Sequence, residues 1–176
     1  MTIDDLQLAP HVRANAEALE REFGGVIVWR SGYREIREQA AAMAGNVIQN
    51  RQWIKQTYTR IGRPSYGIAQ QLQAWVDTHP EIQDRRLLTS GLQAQLLIIP
   101  HGRLISRHSW QIEGQPASLA FDLEPIEEGG KITAMGQEVW ERILLLPYLD
   151  PPPLRREGGL SRWHVQFVPI EVSTQV

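Results

Sequence analysis

The chain contains no cysteine. Disulfides, thiolate metal sites and a cysteine nucleophile are therefore excluded, and any transition metal must be held by histidine together with aspartate or glutamate. Neither sign of charge is in excess. The 18 Lys and Arg against 20 Asp and Glu leave a net charge of −2, so no strong field draws the chain to nucleic acid or to an anionic membrane. Arg85-Arg86 and Arg155-Arg156 are too short for a polyanion groove and read as solvated charge. No apolar run approaches the roughly 20 residues that cross a bilayer. The opening stretch MTIDDLQLAP carries acids where a signal peptide has a basic start and an apolar centre. The expectation is a protein made in the cytoplasm without a signal peptide, with no nucleic-acid partner and no membrane span. Internal repeats and low-complexity segments are also lacking.

What is present suits one domain with a true core: 176 residues, 42% of them hydrophobic. Leu6, Val12, Ala16, Leu19 and Phe23 recur at helical steps, which predicts a helix over about 5–23 with Pro10 disturbing its start. Val26 to Trp29 is a short β-branched run after Gly24-Gly25 and reads as a strand. Ser31 is placed to cap a helix that begins near Arg34 and runs to about Ala44. The Gln-rich segment from about 46 to 89 reads as a helical insertion, broken at IGRPSYG and THPE. Leu96 to Pro100 (LLIIP) and Ser118 to Leu123 read as strands. Thr133 to Leu146 reads as a helix with Thr133 as its cap, and Trp163 to Val168 as a closing strand. The order predicts an α+β fold in one domain spanning 1–176, with a small antiparallel sheet flanked by helices.

Three side chains carry the chemistry. His108 opens and Asp122 nearly closes the stretch SRHSWQIEGQPASLAFDLEP, and His164 lies in SRWHVQF. Two imidazoles and one carboxylate, with a position left for water, are a standard way to hold catalytic zinc. By spacing alone they equally suit a loop histidine, a strand-end acid with a local partner, and a core histidine. His164 alternates with Trp163 and Val165 and so faces away from both.

Four motifs occur in order: SGYR (Ser31 to Arg34) with Gln39 soon after, SRH (Ser106 to His108), AFDL (Ala120 to Leu123) and WHVQF (Trp163 to Phe167). Together they resemble the zinc D-Ala-D-Ala carboxypeptidase family. That family includes D-alanyl-D-alanine dipeptidases and the L-alanyl-D-glutamate endopeptidases of phage endolysins, and shares its fold with the hedgehog signalling domain. The resemblance implies a hedgehog/DD-peptidase-like fold, Zn2+ held by His108, Asp122 and His164, and Arg34 engaging the substrate and polarising its carbonyl. Ser106 is a candidate for hydrogen bonding within the substrate site. The implied activity is hydrolysis of peptidoglycan peptides, of the D,D-carboxypeptidase or L-alanyl-D-glutamate endopeptidase type. The implied place of action is the cell wall or a phage particle.

The chain departs from the family pattern twice. The stretch SWQIEGQP lengthens the gap between His108 and Asp122. More seriously, the family places a Glu or Asp three residues before its last histidine as the general base, and here that position is Ser161. A serine hydroxyl is no base near neutral pH. Glu157 in the preceding Gly-rich stretch and Glu113 in the inserted stretch are the candidate replacements. The other reading is a catalytically degraded member of the fold, used as a structural or binding module such as a phage tail or baseplate component.

Overall fold

The computed structural model describes residues 1–58, 63–150, 153–157 and 160–170, without the side chains of Pro64, Arg156, Glu157, Leu160 and Ser161. In chain order its main elements are α1 (Pro10–Phe23), β1 (Trp29–Ser31), α2 (Ile36–Gln49), α3 (Trp53–Thr57), α4 (Pro64–Thr78) and α5 (Arg85–Ile98). There follow β2 (Gln111–Ile112), β3 (Gln115–Pro116), β4 (Ala120–Leu123), β5 (Glu127–Glu128), β6 (Lys131–Ile132), α6 (Ala134–Leu144), β7 (Leu154–Glu157) and β8 (Leu160–Gln166). The mixture is α+β with small antiparallel sheets, as expected. Among the described residues no helix is long and apolar enough to cross a membrane. The chain forms two compact units, one of Met1–Tyr33 with Gly114–Val176, the other of Arg34–Glu113.

The first unit is built on a four-stranded sheet in the order β1-β4-β8-β7, antiparallel throughout. Its register follows from side-chain alternation. Phe121 stands opposite Val165 and Leu123 opposite Trp163, and all four are fully buried, so one face of the sheet is core. Trp29 meets Phe121 edge-on at 5.3 Å, and Trp163 meets Trp140 of α6 at 5.1 Å. Such pairs add roughly 0.5–1.5 kcal/mol each beyond the area they bury. Pro10 sits at the first helical position of α1, where its missing N–H would have no partner in any case. Val12, Ala16 and Leu19 of that helix are buried. Thr133 caps α6 as expected, its hydroxyl accepting from Gly136 N–H at 3.0 Å.

The second unit is helical. Ile36, Ala40, Met43, Ala44 and Val47 of α2 and Leu88, Leu92 and Leu96 of α5 join one apolar core. Three expectations are corrected along the chain. LLIIP is no strand: Leu96 to Ile98 finish α5, whose buried leucines recur every four residues, while Leu97 and Ile98 are exposed. A short continuous apolar run fits a helix end and a strand equally well by periodicity. Ser31 does not cap α2, because Glu35 does, in a reciprocal capping box with Glu38. The strand read at Val26 to Trp29 lies later, at Trp29–Ser31. The segment read as a helical insertion lies within this unit. Arg51 gathers its helix ends, donating to the carbonyls of Val76 (2.7 Å), His79 (2.9 Å) and Ile82 (2.9 Å). The Val76 carbonyl lies in the last turn of α4, and those of His79 and Ile82 lie beyond its end.

Candidate metal centre

The polar face of the sheet carries the site, and register puts it there. Asp122 of β4 stands directly opposite His164 of β8 and opposite Ser31 of β1. Regular alternation would put Ser31 on the same side as Trp29, which faces the core. A β-bulge between Trp29 and Ser31 removes that conflict: the ladder advances two residues on β1 against one on β4, and Ser31 turns to the side of Asp122. Ser31, Asp122 and His164 therefore form a row across three strands.

Asp122 is fully buried, and a buried carboxylate is costly unless it is paired and hydrogen-bonded. Its partners divide its two oxygens between them. Oδ2 accepts from the Ser31 hydroxyl and from Arg162 Nη1, the latter at 3.2 Å. Oδ1 lies 2.9 Å from His164 Nδ1. Arg162 shares the face of His164 because it lies two residues before it on the strand. The other ring nitrogen of His164, Nε2, lies 3.3 Å from Gln166 Oε1, again two residues away.

His108 sits in a short 3-10 turn, Arg107–Ser109. Ser106 caps that turn, its hydroxyl accepting His108 N–H at 3.2 Å. The His108 carbonyl in turn accepts Arg34 N–H at 2.9 Å, so the SGYR and SRH motifs meet through the backbone. The Arg34 side chain is half-buried.

His108, Asp122 and His164 are all buried, and one ligand atom from each lies within 4.8 Å of the others. Among the described residues no further histidine or acid joins them. Two nitrogens and a carboxylate oxygen fit a first-row divalent metal, and the three residues can hold one.

The candidate bases stand differently. Glu113 is exposed in a tight turn with Gly114, both at positive φ (51° and 77°), where the glycine is the residue that suits a left-handed position. The Glu157 side chain lies outside the described residues. Four participants escaped the reading of the sequence: Ser31 in its true role, Arg162, Gln166 and the buried Asp150, whose Oδ2 lies 3.4 Å from Gln166 Nε2. Alternation from His164 would have pointed to Arg162 and Gln166. Nothing local points to Ser31, whose direction depends on a bulge.

Compared with known proteins, the chain matches no family model, no curated protein and no solved structure.

Proposed function

We propose that the chain is a zinc-dependent amide hydrolase acting on the peptide stems or cross-bridges of peptidoglycan, of the D,D-carboxypeptidase or L-alanyl-D-glutamate endopeptidase type. The observation that carries this reading is the convergence of His108, Asp122 and His164, drawn from three separate motifs, into one buried donor set. A bound zinc ion would supply a Lewis acid for the scissile carbonyl and make water a better acid. The chain's own residues do the rest. Ser31 and Arg162 hold one oxygen of Asp122, and the other lies beside His164. Arg34 offers a planar fork of donors suited to a carbonyl or carboxylate of the substrate. The proton of the attacking water must go to a carboxylate, for which Glu157 and Glu113 are the candidates. The site of action on this reading is the cell wall or a phage particle.

The test is digestion of purified muropeptides by the zinc-loaded protein, with Asp122→Asn as control. Cleavage that disappears in the control supports the proposal, and a folded, zinc-loaded wild type that cleaves nothing overturns it. Ser161 favours a second reading, in which the same fold has lost its base and serves as a structural or binding module such as a phage tail or baseplate component. A zinc-binding, inactive protein that sediments with phage particles selects that reading.

A further inference from the structure

A cavity of about 430 Å³ opens in the helical unit, a volume within the range of small-molecule sites. Its lining residues all lie between Ile36 and Gln111, and none is a donor of the metal centre. The course of the chain after α5 forms it. His101 takes a left-handed conformation, with φ at 59°. Gly102 then packs so closely that a Cβ there would lie 2.0 Å from the Leu96 carbonyl oxygen, an approach that glycine alone allows. The turn brings Arg103 and Leu104 into one lining with Leu96 and Leu97 of α5.

The lining is divided chemically. Ile36, Leu96, Leu97, Ile99, Leu104 and Trp110 supply apolar surface, and Leu97 is 63% exposed. Arg107 lies over the indole of Trp110, 5.6 Å from its centroid. Arg103 carries the one permanent charge of the lining, and no acid lines the cavity. Its Nη1 meets Glu35 Oε2 at 3.4 Å, a long and exposed pair of a kind that contributes little. A ligand carboxylate can engage the guanidinium fork with better geometry. Ser109 is the second polar feature. It is 1% exposed, and its Oγ has no hydrogen-bond partner among the described residues. A buried hydroxyl left so is costly, and a ligand acceptor would satisfy it.

We propose that this cavity binds an aliphatic carboxylic acid of medium chain length. The hydrocarbon lies on the leucine, isoleucine and indole surface, and Arg103 and the Ser109 hydroxyl are the donors for the carboxylate. The negative charge follows from a lining with a cation and no acid. The aliphatic body follows from the six apolar residues, against which a sugar or nucleotide would leave its hydroxyls without partners. The proposal stands independently of the metal reading.

Sodium octanoate titrated into the full chain tests it. The amide signals of Leu97, Arg103 and Leu104 and the indole signal of Trp110 should shift saturably in 1H–15N correlation spectra. Arg103→Gln should weaken binding about 10–100-fold, the usual range for a charge-assisted bond. Ser109→Ala should weaken it about 2–10-fold without destabilising the free protein, since it removes a hydroxyl that has no partner. Leu97→Asp puts a negative charge at an exposed position of the lining and should abolish binding. Octanol and octylammonium, matched in chain length, should bind clearly more weakly than octanoate. Equal binding of either, unchanged affinity in folded Arg103→Gln, the absence of a saturable shift, or shifts centred on Asp122 and His164 would each overturn the proposal. N-acetyl-leucine binding more tightly than octanoate would also overturn it and assign the cavity to a peptide end. If Arg103→Gln or Ser109→Ala fails to fold, Leu97→Asp and the uncharged and cationic probes decide.

Discussion

Asp122 and His164 face each other in direct register across β4 and β8, with 2.9 Å between Oδ1 and Nδ1. Ladder geometry sets this relationship: opposed residues of an antiparallel pair are close enough for their side chains to touch. A bulge or a loop of different length elsewhere in the chain leaves the pair intact. That is why a long stretch between His108 and Asp122 is compatible with the site.

Metal binding should therefore depend on three residues at once. Wild type should bind one zinc per chain, and His108→Ala, Asp122→Ala and His164→Ala should each abolish tight binding, as read by elemental analysis after gel filtration. Free zinc at a hundredfold excess over its Kd should add about 2.7 kcal/mol of stability. For a chain of this size, that corresponds to a rise in Tm of roughly 5–10 °C. An equal rise in the His164→Ala variant would show that zinc stabilises the protein from another site.

The sequence made the two halves of this picture legible to different degrees. Asp122 and His164 sit in short apolar strands, and alternation alone says that each leaves the core face that Phe121, Trp163 and Val165 occupy. Thr133 is legible as a cap because its hydroxyl acts within one turn. Ser31 is not, since its partner is 91 residues away and a bulge decides which side of β1 it occupies. LLIIP reads as a strand because an apolar run of that length has no period to show. What failed in each case was information carried by distant chain, either the strand that pairs or the helix that packs.

Acid should destabilise the first unit through His11. Its Nε2 bonds the Val168 carbonyl at 3.1 Å and its ring meets Tyr148 edge-on at 5.7 Å. Partial burial lowers its pKa below the usual 6.5, outweighing the carbonyl, which acts to raise it. The folded state thus binds fewer protons than the unfolded state between the lowered value and 6.5. Stability from this group is complete above about 6.5 and falls as pH drops through that window. Urea denaturation at pH 7.5 and at pH 5.5 should show the loss, and His11→Gln should reduce the difference between the two. An undiminished difference would place the effect at other groups.

Gly91 is a point of close packing in the helical unit. A Cβ added there would lie 2.1 Å from Cη2 of Trp75, and the indole is stacked on His79 at 4.6 Å, which restricts its retreat. Gly91→Ala should cost about 1–3 kcal/mol, the usual penalty of overpacking, even though alanine is the better helix former by about 1 kcal/mol. The measurement is urea denaturation of both proteins at neutral pH. A more stable variant would mean that Trp75 moves aside freely.

Position 161 of β8 also says what would restore a base. His164 stands opposite Leu154 and Ser161 opposite Arg156, so β8 advances three residues while β7 advances two. The extra residue is a bulge. The family pattern that the chain resembles has a carboxylate three residues before its last histidine, at the position of Ser161. Ser161→Glu should therefore raise zinc-dependent muropeptide cleavage by about 10²–10⁴-fold, the usual contribution of a positioned general base, with little change in zinc affinity. If the wild type already cleaves through Glu157 or Glu113, the gain should be small, and Glu157→Gln or Glu113→Gln should instead remove the activity. A zinc-loaded Ser161→Glu variant that still cleaves nothing would set aside peptide hydrolysis and leave the structural or binding role.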